Sequence, residues 1–94
     1  MTTLPQEELV STPMPGPGAR ALAERARDAV PRAMIAAMPT FAVSTDRGIL
    51  EDVDGNRLID FGSGIGVTTV GGAAGPVAAA VRDPVDRLTH TSFA

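Results

Sequence analysis

Three stretches of the chain carry residue types that could do chemistry. Asp52-Val53-Asp54-Gly55-Asn56 places three oxygen-bearing side chains within five positions, the density a calcium loop uses. Counted from Asp52, however, Arg57 falls where such a loop needs glycine and Ser63 where it needs a bidentate glutamate, so the spacing fits a turn with an ion pair. Gly62, Gly64 and Gly66 alternate with Ser63 and Ile65. The third glycine is misplaced for a dinucleotide fingerprint, and glycine at this density signals unusual backbone angles or close approach by a backbone or ligand. His90 is the single histidine and there is no cysteine, which leaves neither a multi-histidine site nor a zinc thiolate. Ser63 lacks the Gly-x-Ser-x-Gly frame that presents a nucleophile, so His90 reads as a loop or interface residue between Thr89 and Thr91. These residues supply no catalytic group and no metal site of their own.

Composition narrows the classes further. All eight basic residues are arginine, so the chain contains neither a Schiff-base lysine nor the lysine of a phosphate loop. A net charge of −3 leaves no basic footprint for nucleic acid or an anionic membrane. The longest apolar run, Ala33 to Met38, is too short to cross a bilayer. An acidic start without an apolar leader, together with zero cysteine, fits a cytoplasmic protein. Fifteen of the 94 residues are alanine, and Leu, Ile, Val and Phe together make only 22. That share lies just above the level typical of disordered chains, so a self-contained core should be marginal.

The elements that must position these residues follow from periodicity and turn chemistry. Residues 1–18, with Pro5, Pro13, Pro15 and Pro17, read as an extended arm. Ala19 to Val30 reads as a helix with Leu22, Ala26, Ala29 and Val30 on one stripe, a poor N-cap at Ala19 and a stop at Pro31. Residues 39–44 read as a strand with Phe41 and Val43 on one face, connected by Asp46-Arg47-Gly48. Asp54-Gly55 predicts a two-residue hairpin turn, with Asp52 opposite Arg57, Leu50 opposite Ile59, and Phe61 extending the apolar side. The expected result is a three-stranded antiparallel meander. Val67 to Val70 could add a short strand, and a helix should begin at Pro76 and be interrupted at Pro84. The fold class is therefore α+β.

Several motifs, read in order, add a resemblance. Pro15-Gly16-Pro17, Met38-Pro39-x-Phe41, Glu51 to Asp60, Ser63-Gly64-Ile65, Val67 to Gly71 and Thr89 to Phe93 closely resemble the N-terminal region of class III pyridoxal-phosphate aminotransferases. Within that family the likeness is greatest to the bacterial, especially actinobacterial, 4-aminobutyrate aminotransferases. It runs without gaps from about Pro13 to Phe93. The resemblance implies that residues 19–94 form part of the small domain of a fold-type I enzyme, behind the arm at 1–18, with the large cofactor-binding domain elsewhere. It implies that Gly64 and Ile65 bind substrate, Ile65 beside its carbon chain and Gly64 allowing close backbone approach. For the complete enzyme it implies a homodimer that uses pyridoxal 5′-phosphate and amino-acid and oxo-acid substrates, moving an amino group from 4-aminobutyrate to 2-oxoglutarate. The lysine that holds that cofactor is not among these residues, so the 94-residue chain alone is expected to be inactive and to bind no cofactor. The chain differs from the family pattern at Gly72 to Gly75, at Pro76, which comes one position late, at Pro84, at Ser92 and at Ala19. A non-catalytic module docking on a full-length homologue, and a degraded gene remnant, are the alternative readings.

Overall fold

The computed structural model describes residues 3–34 and 38–90. Helix α1 spans Pro17–Ala29, followed by a 3-10 turn at Arg32–Met34. Strands β1 (Ala42–Asp46), β2 (Ile49–Asp52) and β3 (Arg57–Ile59) form one antiparallel sheet in the order β1-β2-β3, and helix α2 spans Gly75–Val85. The expected α+β class and meander are thus present. Strand β1 begins later than expected and runs through Asp46, so the β1–β2 turn contains only Arg47 and Gly48. A register shift between Ala42 and Ser44 breaks the alternation that would have kept Phe41 and Val43 together, leaving Phe41 half-buried and Val43 exposed.

The β2–β3 register differs by one residue from the expected one. Ile49 faces Ile59, Leu50 faces Leu58, and Glu51 faces Arg57, around a three-residue loop of Val53, Asp54 and Gly55. A two-residue turn of the expected type needs positive φ at both Asp54 and Gly55, and only Gly55 adopts it, at 80°. The reason lies in Asp52. Its Oδ1 accepts the backbone N–H groups of Asp54 and Asn56 at 2.9 and 2.8 Å, which holds the longer loop from within. The expected Asp52–Arg57 ion pair is therefore absent: Asp52 is buried, and Arg57 pairs with Glu7 at 3.5 Å. Phe61 lies beyond the end of β3 and is exposed.

The arm is not free. Leu9 and Arg57 exchange backbone hydrogen bonds of 2.9 and 2.7 Å, and the Leu4 N–H donates to Asp46 Oδ2 at 3.0 Å. Asn56, fully buried, accepts the amides of Ser11 and Thr12 through Oδ1 and donates through Nδ2 to the Thr12 hydroxyl and Asp52. Helix α1 starts at Pro17, two residues earlier than expected, because proline is pre-shaped for a first helical position. Its start is capped across the fold: Gly18 and Ala19 donate their N–H groups to the Asp54 carboxylate at 2.6 and 2.9 Å. Pro84 does not stop α2, which runs one residue further, and Val67 to Val70 form turns rather than a strand.

The buried apolar side chains among the described residues are Leu4, Ala19 and Ile49. A radius of gyration of 15.8 Å exceeds the about 12 Å expected of a closed domain of this length, so the elements spread rather than wrap a core.

Candidate functional site

Asp60 to Gly72 leaves the sheet and returns to it. At the start of the loop, the Asp60 N–H donates to the Gly48 carbonyl at 2.9 Å. At its end, Gly72 and Arg47 exchange backbone hydrogen bonds of 2.9 and 3.1 Å. Both feet therefore stand on the two-residue β1–β2 turn.

Between them lies a single left-handed turn, Ser63–Gly66. The four residues have φ of 49°, 61°, 63° and 80°. Gly64 tolerates this freely, and a Cβ there would meet Val67 Cβ no closer than 3.4 Å, so its backbone angle, not crowding, favours glycine. Ile65 is different. A β-branched residue in this region is strained by about 1–3 kcal/mol, and such strain persists only when the surroundings hold it. The holding contacts are Ser63 N–H to Asp60 Oδ1 at 2.8 Å, Ile65 N–H to the Gly62 carbonyl at 2.7 Å, and Val67 N–H to the Ser63 carbonyl at 2.7 Å. The outcome is an isoleucine side chain that is 98% exposed. Ile65 does not line the open apolar groove of about 450 Å3 that begins two residues on, between Val67, Val70, Ala74, Val77 and Val81.

The expected site residues, Gly64 and Ile65, thus fall together on one strained turn. The acidic stretch lies elsewhere and is occupied by protein donors: Asp52 by Asn56, Asp54 and Thr40, and Asp54 by α1. Burial acts to raise the Asp52 pKa, but the side-chain and backbone hydrogen bonds from Asn56, with those from Asp54 and Thr40, outweigh it and hold the carboxyl below 3.8. Asp46 is also lowered, by the Leu4 N–H and then by Arg47. His90 is exposed, and Thr91 to Phe93 lie outside the described residues. Sequence reasoning missed Thr45, Arg47 and the Gly71–Gly72 pair as parts of the loop's base. The glycine doublet was the available signal, because close backbone approach is one of the two reasons for glycine.

Comparison with known proteins adds the family. The family described as Aminotransferase class-III matches residues 32–94. The 4-aminobutyrate aminotransferase of Mycobacterium leprae is 47% identical over 93 residues, covering 99% of this chain and 21% of the relative. The protein of the same name from Mycobacterium tuberculosis is 46% identical over the same shares. The 5-aminovalerate aminotransferase DavT of Pseudomonas putida is 36% identical over 72 residues, 77% of this chain and 17% of the relative. The chain therefore spans about a fifth of the length of the curated 4-aminobutyrate aminotransferases it matches. The matching stretch contains β1 to β3, the left-handed turn and α2, and on it the chain belongs to the class-III aminotransferase family.

Proposed function

We propose that these residues are the N-terminal part of the small domain of a transaminase acting on 4-aminobutyrate and 2-oxoglutarate, with Ile65 and Gly64 lining the path of the substrate's carbon chain. The observation that carries this reading is the Ser63–Gly66 turn, where strained backbone presents an isoleucine that no part of the described chain covers. Strain of this kind collects at ligand clamps. An apolar side chain suits the methylene run of an ω-amino acid, whose charged ends need partners that this turn does not supply. The 46–47% identity to 4-aminobutyrate aminotransferases over nearly the whole chain supports the choice of donor.

The family depends on pyridoxal phosphate, which supplies the electron sink for amino-group transfer. These residues do not fit the role of its holder: its covalent anchor is a lysine, and every basic residue here is arginine. Their part is confined to shaping the space beside it. The low burial and extended shape support a covering partner, which in the complete enzyme is a large domain and a second subunit.

Grafting residues 1–94 in place of the aligned stretch of the M. tuberculosis relative tests the role of the turn. In the active graft, Ile65→Ala is expected to lower kcat/KM for 4-aminobutyrate by about tenfold, the scale of losing a few buried methyl or methylene contacts, with the melting temperature unchanged. An active graft indifferent to Ile65→Ala would remove Ile65 from the substrate path.

A further inference from the structure

Asp54-Gly55 is the sole Asp-Gly pair in the chain. In such a pair no side chain on the second residue hinders its amide nitrogen, which can therefore attack the aspartate carboxyl group and close a succinimide ring. A bond forms between the Gly55 nitrogen and Asp54 Cγ, one Cγ–O bond breaks, and that oxygen leaves as water. The ring then takes up one water. Opening at the main-chain carbonyl of Asp54 leaves the backbone running through Cβ and Cγ, as isoaspartate, with a free carboxylate on Cα. Water is the only co-reactant.

Gly55 is exposed, and a Cβ on it would meet nothing within 4 Å, so the loop has room for the ring. What opposes the reaction is α1. Asp54 Oδ1 accepts the Gly18 N–H at 2.6 Å and Oδ2 the Ala19 N–H at 2.9 Å, so turning Cγ onto the Gly55 nitrogen means giving up both bonds. The nitrogen is held as well, because its N–H donates to the Asp52 carbonyl at 3.1 Å. Gly16 closes the seat from above: a Cβ there would run into Asp54 Cγ and Oδ2 and stand 2.9 Å from Asp54 Cβ. Gly16, Asp54 and Gly55 all fall within stretches that carry the family resemblance.

We propose that Asp54-Gly55 is a site of backbone isomerisation that docked α1 holds shut, and that conversion of Asp54 to isoaspartate releases α1 from the sheet. The isoaspartyl carboxylate sits directly on Cα, and the loop gains a methylene in its backbone, so the two oxygens no longer reach the Gly18 and Ala19 amides together. Loss of the cap and exposure of the pair are therefore one event: each turn of α1 away from the loop frees Asp54 to react, and reaction keeps α1 away.

The test is to age the full 94-residue chain at neutral pH, folded and in urea, and to score isoaspartate in the tryptic peptide 48–57 by electron-transfer fragmentation. The folded chain is expected to isomerise roughly fivefold to thirtyfold more slowly than the chain in urea, the population effect of one helix cap. Equal rates in the two conditions would overturn the proposal. Gly16→Ala, which drives a Cβ into the Asp54 carboxyl group, should bring the rate without urea up toward the rate in urea, while the Asp60 amide keeps its protection on the Gly48 carbonyl. A folded Gly16→Ala chain that isomerises no faster than the parent would show that α1 is not the guard. If Gly16→Ala unfolds throughout, the parent with and without urea still decides. In the purified isoaspartyl chain the Gly18 and Ala19 amides should exchange faster and Asp60 as before; unaltered exchange at Gly18 and Ala19 would refute the release of α1.

Discussion

The two oxygens of Asp54 accept the second and third amides of α1, donors that no residue before the helix satisfies. Asp54→Ala should therefore destabilise the fold by about 1–2 kcal/mol, the worth of a helix cap, and Asp54→Asn by less because one acceptor remains. Urea unfolding of the two variants measures this; equal stability of Asp54→Ala and the parent would refute the cap. Asp46 and Asp52 carry a pH signature. Both folded carboxyls lie below their ordinary value of 3.8, so the stability they contribute is complete above that value and is lost as pH falls through the lower folded values. The melting temperature should hold from about pH 7 to 5 and fall below about pH 4, and Asp46→Asn should flatten part of that fall. At this scale the sequence was only half legible. Asp54-Gly55 announces a turn, but a cap supplied from 35 or 36 positions away is invisible to a rule that looks only at the residue before a helix. Ile65 could be named only through resemblance, since no local rule places a β-branched residue in the left-handed region.

The elements depend on the same turn. Asn56 ties the arm to the sheet by accepting the Ser11 and Thr12 amides and donating to the Thr12 hydroxyl. Asn56→Ala leaves those amides without their acceptor and should cost about 2–3 kcal/mol. It should also free the arm, so limited proteolysis within residues 5–12 should accelerate while cleavage inside the sheet lags. Simultaneous cleavage of both regions would mean that the arm is not a separately tied element. The meander was readable because three apolar runs are separated by turn residues, and its register was not, because two registers both pair apolar residues. Ile49 with Ile59 and Leu50 with Leu58 is as apolar as the expected Leu50 with Ile59. What decides between them is the Asp52 side chain, which folds back onto Asp54 and Asn56 and makes the loop three residues long. The stop at Pro84 failed for a related reason: a proline near a helix end removes one hydrogen bond, and α2 has only Val85 beyond it.

For the whole molecule, the small apolar content foretold a core that does not close, and the structure shows Leu4, Ala19 and Ile49 as its buried apolar side chains among the described residues. Val67, Val70, Val77, Val81 and Leu88 all remain exposed. On a stretch that spans 21% of its relatives' length, exposed apolar surface of this kind is surface that a partner could cover. The composition could show the shortage of core but not what covers it. The proposed function has this stretch do the work of the corresponding stretch in a 4-aminobutyrate transaminase, and its direct test is glutamate formation from 4-aminobutyrate and 2-oxoglutarate by the graft of residues 1–94 into the M. tuberculosis relative. The proposed function predicts kcat/KM within about tenfold of the ungrafted enzyme, because the turn, the hydrogen bonds that seat its loop on Arg47 and Gly48, and Ile65 travel with the graft. A graft that folds, dimerises and takes up its cofactor yet forms no glutamate would contradict it.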